Sequence, residues 1–191
     1  MAKTESTFKN MVMSLTLISL VASACLGFVY EMTKEPIELA NLNKKLNAIK
    51  QVVPEFNNNP NDDMYLLPTG EGDSLEIYPA KKDDVIVGYA VNTFTSKGFS
   101  GNIGLMAGFK SDGTIINITI LEQKETPGLG TKMAEPDFKD QFRDKNPAEF
   151  ILKVKKDGGP VDAITAATIS SRAFCDALQR AYNTLQKGGL K

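Results

Sequence analysis

The sequence predicts an α+β protein, in which a single N-terminal transmembrane helix precedes a domain of antiparallel strands with packed helices. Three observations carry this prediction. An uncharged apolar run occupies residues 11–30, β-branched and aromatic residues are frequent over 74–122, and apolar residues recur at helical spacing over 173–185. The first pattern is typical of a membrane span, the second of strands, and the third of an amphipathic helix.

The apolar run MVMSLTLISLVASACLGFVY contains 20 uncharged residues between Lys9 and Glu31. As a helix it spans roughly 30 Å, the thickness of a bilayer core. A cleaved signal peptide ending at Ala22-Ser23-Ala24 and a lipoprotein signal at Cys25 are the alternatives. Because both leave the apolar residues after Cys25 unexplained, we predict a retained anchor in the lipid bilayer. The lysines on the two sides of the run do not decide its orientation.

A helix and a linker are predicted between the anchor and the domain. Apolar residues recur at helical spacing over 36–53, and Pro36 suits the first turn of such a helix. The following VPEFNNNPNDD has the Asn and Pro punctuation of a loop. The predicted organisation is a short tail over 1–10, a transmembrane helix over 11–30, a stalk helix and linker over 31–73, and the domain over 74–191.

The elements of the domain follow from local patterns. The segments VIVGYAVNTF and TIINITI are rich in strand-forming residues, and Ser111-Asp112-Gly113 predicts a hairpin turn between IGLMAGF and TIINITI. Downstream, EPDFKDQFRD predicts a short helix and EFILKV a further strand. The last helix is expected to end at Gly188-Gly189. Its apolar face consists of Ala173, Phe174, Ala177, Leu178, Ala181, Tyr182 and Leu185.

Composition excludes several classes of function. The chain has no histidine, which removes histidine acid–base catalysis, Ser-His-Asp triads and the usual zinc and haem ligands. Its net charge of −1 provides no basic surface for nucleic acid. Two cysteines are too few for an iron–sulfur cluster. Any chemistry therefore belongs to hydroxyl groups, to carboxylates or to a cofactor.

Two segments have the residue types of a ligand site. DAITAATISS, residues 162–171, precedes the last helix and contributes four hydroxyl side chains. They suit either a redundantly capped helix or a phosphate held at a helix N-terminus. KETPGLGTKM, residues 124–133, follows a strand and contains a Pro-Gly turn. By itself it suits either a plain surface turn or a loop that presents backbone groups to a ligand.

The two segments, together with GFSGNI at residues 98–103, resemble a known family. The order and spacing of GFSGNI, ETPGLG and DAITAAT are similar to the FMN-binding domain of membrane redox complexes, over roughly residues 85–187. The anchor and the length resemble the G subunit of the Rnf electron transport complex. The C subunit of the sodium-translocating NADH:quinone reductase shares the domain in a typically longer chain and is the alternative. The family usually has glycine where this chain has Ala166.

The resemblance implies the site residues. Thr168 would carry FMN covalently, through an ester between the FMN phosphate and its hydroxyl. Asp162, Thr165 and Thr168 would form the signal that a flavin transferase reads. The resemblance implies no catalytic acid, base or nucleophile and no metal ligand. The implied cofactor-binding residues are Thr168, Thr165, Ala167, Ser171, Glu125, Thr126, Leu129 and Gly130.

The resemblance also implies a function. The protein would be an electron-carrier subunit that relays electrons through FMN in an ion-translocating complex coupling ferredoxin and NAD. Its partners would be the other membrane and peripheral subunits and the flavin transferase. It would cross the bacterial inner membrane once, with the domain on the periplasmic or outer face. An anchored domain that binds FMN non-covalently and a purely structural subunit are the rival interpretations.

Overall fold

The computed structural model describes residues 7–70 and 72–188 and divides the chain into two compact units, Met1–Asn43 and Lys44–Lys191. Most of the first unit is helix α1, Phe8–Val52, whose last turns belong to the second unit. Part of α1 is long and apolar enough to cross a membrane. The predicted separate helix starting at Pro36 is not found, because Pro36 lies inside α1. Proline has a helical φ, so the helix can continue with the loss of one backbone hydrogen bond. Residues 1–6 of the predicted tail and the predicted stop residue Gly189 lie outside the described residues.

The second unit is built on a five-stranded sheet, and the predicted α+β fold class is confirmed. Each strand pairs antiparallel with the next in chain order. Asp83 and Asp84, with φ of 53° and 63°, form the two-residue turn between β2 and β3. β1 lies in the segment that was expected to be linker. The strands are β1 Tyr65–Pro68, β2 Ser74–Lys82, β3 Val85–Thr95, β4 Ile103–Phe109 and β5 Ile115–Glu122.

Two further helices follow the sheet. The predicted short helix is α2, Pro136–Lys139, and the predicted last helix is α3, Thr168–Lys187, which ends directly before Gly188. The strand predicted for EFILKV is wrong. Among the described residues of this segment, Val154 alone forms a bridge, a parallel one with Val161. Between these two valines the chain forms a 3-10 turn at Lys155–Asp157 and then a turn through Gly158-Gly159-Pro160. These turns leave no contiguous extended residues that could form a longer ladder.

One face of the sheet packs against α3. The buried face of α3 includes Phe174, which makes edge or tilted ring contacts with Phe138 and Phe142. Two buried threonines of β3 fasten the helix to the sheet: Thr93 donates to the Ala177 carbonyl (2.9 Å) and Thr95 to the Asp176 carboxylate (2.7 Å). The position of the α3 N-terminus relative to the strand ends is therefore fixed by packing along the whole helix.

The other face is covered by the last turns of α1. Ala48, Ile49 and Val52 form a second buried cluster, with strand residues Tyr78, Ala80, Ala90 and Met106. The backbone of α1 comes so close to β4 that a side chain at Gly108 would collide with the Val52 carbonyl. The sheet is thus held between two helical layers, and the loops at its ends start from a rigid frame.

A polar network joins α1 to this face. Glu76 accepts hydrogen bonds from Lys45 (2.7 Å), Asn92 (2.6 Å) and Tyr78 (2.9 Å). Burial opposes ionisation of this carboxyl, but the three donors outweigh it and hold its pKa below the ordinary value of 4.5. The ionised carboxylate therefore stabilises the folded state.

Acidification is expected to remove this stabilisation. Because the folded-state pKa of Glu76 is lowered, its contribution is complete above pH 4.5 and is lost as the pH falls through the lowered folded value. Urea unfolding of the full chain in detergent, at about pH 7 and about pH 3, measures it. The stability advantage of the wild type over Glu76→Gln should shrink at the lower pH, and an unchanged difference would contradict this assignment.

Candidate cofactor site

Three segments meet in a cavity of about 300 Å³ at one end of the sheet. They are the loop between β3 and β4, the loop after β5, and the start of α3. These are the segments that contain GFSGNI, ETPGLG and DAITAAT. The lining residues are Phe99, Glu125, Thr126, Leu129, Gly130, Ala166, Ala167, Thr168, Ile169 and Ser170.

A buried carboxylate ties the three segments together. Glu125 is 4% exposed, and one of its oxygens accepts a hydrogen bond from the Ser100 N–H at 2.9 Å. The other oxygen accepts from the hydroxyl of Ser170, a buried residue of the first turn of α3, at 2.5 Å. Glu125 therefore sets the spacing between the β3–β4 loop and the helix start.

The loop after β5 is shaped by a tight turn. The Leu129 N–H donates to the Thr126 carbonyl, with Pro127 and Gly128 in the central positions. Gly128 has φ of +74°, as the second central residue of a type II turn requires. The Gly128 N–H donates in turn to the Thr131 hydroxyl at 3.0 Å. The Pro-Gly turn predicted from the sequence is present.

Gly130 lets this loop approach Glu125 and α3. A Cβ at position 130 would lie 2.6 Å from Oε2 of Glu125, 2.7 Å from its Cβ and 2.7 Å from the Ser170 hydroxyl. These distances are shorter than any normal contact, so a larger residue would have to displace two buried side chains. The close packing of Glu125 and Ser170 therefore requires a residue without a side chain at position 130.

The start of α3 lacks a cap among the residues the structure describes. Its N-cap position is Ala167, which has no side chain able to accept a hydrogen bond. The first backbone bond into the helix runs from the Ser171 N–H to the Ala167 carbonyl, so the N–H groups of Thr168, Ile169 and Ser170 precede the helical ladder. A redundantly capped helix, one of the two interpretations of the hydroxyl cluster, is therefore not what the structure contains.

A strained backbone position presents Thr168. Ala166 has φ of +60°, in the left-handed region that costs a residue with a Cβ about 1 kcal/mol. Glycine adopts this region without strain, which gives a physical reason for the glycine that the resemblance led us to expect here. The chain turns outward at Ala166 and then enters α3, which leaves Thr168 half-buried at the cavity edge.

The rim of the cavity is apolar and exposed. The exposed fractions are 67% for Phe99, 47% for Ile169 and 39% for Leu129. The cavity thus combines an apolar rim with a polar floor at Glu125 and Ser170. Such a cavity suits a flat aromatic ligand with polar edges.

The rest of the predicted recognition signal faces elsewhere. Asp162 and Thr165 line a separate cavity of about 250 Å³. The amide of Gln141 holds the Asp162 backbone, accepting from its N–H at 2.8 Å and donating to its carbonyl at 3.2 Å. The Asp162 carboxylate pairs with Lys155 at 2.6 Å. Asp162 and Thr165 are both exposed, whereas Thr168 faces the first cavity.

The structure brings together most, but not all, of the predicted cofactor residues. Ser171 is fully buried, and its hydroxyl donates to the Ala167 carbonyl and accepts from the Ile164 N–H, both at 3.0 Å. Thr165 and Ser171 therefore do not line the first cavity. The predicted residues that do line it are Thr168, Ala167, Glu125, Thr126, Leu129 and Gly130.

Four lining residues were not among the predicted cofactor residues: Phe99, Ala166, Ile169 and Ser170. Phe99 stands inside GFSGNI, so the motif itself was a signal for it. The hydroxyl of Ser170 was noted, but its burial against Glu125 depends on a contact between residues far apart in the chain. Local pattern gives no such contact.

Cysteine chemistry is absent from the described part of the site. Cys175 lies on the buried side of α3 and does not line the first cavity. Burial raises the pKa of its thiol to about 12, so the group is protonated at neutral pH. Cys175 and Cys25 are both free thiols.

The fold and the cavity define a class of protein. The uncapped start of α3 suits a phosphate, and the cavity beside it, with its apolar rim and polar floor, suits an aromatic cofactor. The profile of the FMN-binding domain family matches residues 98–183, which include all of the lining residues. The chain therefore contains an FMN-binding domain. The polar floor at Glu125 and Ser170, the close approach at Gly130 and the uncapped start of α3 fit that cofactor.

Comparison of whole chains gives the family. The chain is 34% identical over 189 residues to the G subunit of the ion-translocating oxidoreductase complex of Methanosarcina acetivorans, covering 94% of this chain and 96% of the relative. It is 33% identical over 184 residues to the G subunit of the Na⁺-translocating ferredoxin:NAD⁺ oxidoreductase complex of Acetobacterium woodii, covering 90% and 88%. The chain belongs to the family of G subunits of ion-translocating oxidoreductase complexes.

A solved structure shares the fold. The C subunit of the Na⁺-translocating NADH-quinone reductase from Parabacteroides distasonis superposes with a TM-score of 0.54 at 22% identity, covering 78% of this chain and 82% of that chain.

The candidate membrane span in α1 agrees with the relatives being subunits of ion-translocating complexes, and together they indicate a membrane-anchored protein.

Proposed function

We propose that this chain is the covalent flavoprotein subunit of an Rnf-type ion-translocating electron transport complex, with FMN esterified to Thr168. The observation that carries the proposal is the half-buried Thr168 at an uncapped helix start, beside a cavity of about 300 Å³. The neighbouring hydroxyls already have hydrogen-bond partners. That of Ser170 donates to Glu125, and that of Ser171 donates to the Ala167 carbonyl. Thr168 is the hydroxyl at this helix start that is placed to be modified.

Attachment requires one bond to form and one to break. Thr168 contributes its Oγ1 to a bond with the flavin phosphorus and loses its hydroxyl proton. With a flavin dinucleotide as donor, the phosphoanhydride bond breaks and adenylate leaves, so no electron is transferred. Asp162 and Thr165, which face the second cavity, are in position to be read by the transferase while Thr168 faces the cofactor cavity.

The residues of the cavity then position the cofactor. The N–H groups that open α3, together with the positive end of its dipole, would stabilise the phosphodiester. Phe99, Leu129 and Ile169, which form the apolar rim of the cavity, would shield the flat ring from water. When bound, FMN supplies one- and two-electron transfer. No side chain of the site has to act as acid, base or nucleophile during electron transfer.

The wider role is also part of the proposal. The name of the Acetobacterium woodii relative supports coupling between ferredoxin and NAD, and membership in a family of complex subunits implies other membrane and peripheral subunits as partners. We place the domain on the periplasmic or outer face of the membrane, where the flavin transferase would act. The protein would relay electrons between redox centres of those partners.

Intact-mass spectrometry tests the proposal. The full chain is expressed with and without a flavin transferase, denatured and freed of unbound ligands. We expect a mass increase of one FMN minus one water, only with the transferase, on the peptide that contains Thr168. Flavin that is released by denaturation would instead establish non-covalent binding, and a colourless, unmodified protein would refute the proposal.

A further inference from the structure

We infer that Lys156 is the counter-ion of the phosphodiester at Thr168, an inference that rests on the proposed function. The ammonium group of Lys156 donates a hydrogen bond to Oγ1 of Thr168, the atom that would become the ester oxygen, at 3.4 Å. At this length the bond to a neutral hydroxyl is weak. The contact nevertheless puts a positive charge at the point where a phosphate would be added.

The neighbouring cations already have partners. Lys155 pairs with Asp162 at 2.6 Å. Arg172, one turn into α3, makes two bonds with Asp157 at 2.6 and 2.7 Å and holds the pKa of that carboxyl below its ordinary value. In the described part of the chain, no carboxylate lies within ion-pair distance of Lys156. Lys156 thus contacts the Thr168 hydroxyl and has no carboxylate partner that a new negative charge would have to displace.

The backbone that carries Lys156 is held in place. The Lys155 N–H donates to the Val161 carbonyl at 2.8 Å, and the Gly159 N–H donates to the Val154 carbonyl at 3.1 Å. Val154 and Val161 are fully buried in the main core. The 3-10 turn that contains Lys156 is therefore fixed next to α3, and only the lysine side chain has to move to meet a phosphate oxygen.

Esterification would strengthen this contact. It replaces a neutral hydroxyl by a diester with one negative charge, and an N⁺–H···O⁻ bond typically shortens to about 2.7–2.9 Å. The N-terminus of α3 adds a favourable partial charge on the other side of the phosphate. Because Lys156 is exposed, the interaction should weaken with added salt. Lys156 would thus pair with the phosphate from the moment it reaches Thr168.

Phosphorus NMR of the flavinylated full chain in detergent gives a specific readout. At neutral pH and low salt, a lysine ammonium bonded to the diester should displace the ³¹P resonance, and added salt should weaken the effect. The resonance should therefore move in Lys156→Met and keep its wild-type position in Lys153→Met, a matched control on the same segment with the same change in charge.

The outcomes separate this inference from the proposed function. A ³¹P resonance that keeps its wild-type position in Lys156→Met overturns the role of Lys156 while leaving covalent attachment intact. A wild type without covalent flavin overturns both. If Lys156→Met alone accepts no flavin, while Lys153→Met and Lys156→Arg are modified normally, the positive charge is needed when the phosphate arrives, and the inference is supported.

Discussion

Replacing Thr168 by valine should abolish covalent flavin and leave the fold intact. Valine has nearly the shape of threonine but no hydroxyl, so the ester cannot form. Among the described residues, the Thr168 hydroxyl has one side-chain hydrogen bond, the long one from Lys156, and α3 is held by buried residues farther along. The free energy of unfolding should therefore change by no more than about 0.5 kcal/mol. Intact mass after denaturation measures attachment, and urea unfolding of the transferase-free protein measures stability.

A matched threonine serves as the control for this variant. Thr119→Val makes the same change on β5, where the hydroxyl donates to Gln51 and does not line the cavity. It should be modified like the wild type. Covalent flavin persisting in Thr168→Val, or moving to Thr165 or Ser170, would show that the acceptor has been misassigned. Loss of the fold in Thr168→Val would contradict the packing described here.

Gly130→Ala is expected to damage both the site and the fold. The new Cβ would lie within 2.7 Å of the Glu125 side chain and of the Ser170 hydroxyl, and both residues are buried. The Glu125 contact includes its Cβ, which is close to the backbone and cannot swing aside. Overpacking of this kind typically costs about 1–3 kcal/mol. It should also separate Ser170 from Glu125 and so displace the helix start on which Thr168 stands.

Gly104→Ala is the matched control, since the nearest atoms to its added Cβ lie 3.6 Å away. Urea unfolding compares the two variants, and flavin content after treatment with the transferase reports the site. We expect Gly130→Ala to be clearly destabilised and to carry less flavin, with Gly104→Ala close to the wild type. Equal stability of the two variants would show that Glu125 and Ser170 can move apart freely, against the tight floor described above.

The strands and helices of the domain were predicted well because their signals are local. Enrichment in β-branched and aromatic residues predicted β3 and β5, the Ser-Asp-Gly turn predicted the hairpin between β4 and β5, and the apolar stripe on α3 predicted its buried face. EFILKV failed because its composition suits a strand, but its only bridge partner among the described residues is Val161, and the Gly-Gly turn leaves no room for a ladder. Pairing partners, unlike propensities, are set by the rest of the fold.

The segmentation before the domain was less predictable. Pro36 is a common start of a helix, yet here it lies within α1, because proline's backbone geometry is also compatible with a helix interior at the loss of one bond. β1 lies just after a stretch rich in Asn, Asp and Pro, whose composition indicates a loop. Its four residues form a strand because they pair with the neighbouring strand β2.

The sequence by itself determined the elements of the domain, the membrane-length helix and the three motifs of the cofactor site, because each is encoded by contiguous residues. Only the tertiary structure decided which residues of those motifs line the cofactor cavity and which face elsewhere. It placed Phe99, Glu125 and Ser170 around one cavity, turned Thr165 toward another, and put Lys156 beside Thr168. The physical reason is that side-chain direction at a helix start depends on which groups are buried. Burial there is set by packing between segments that lie far apart in the chain.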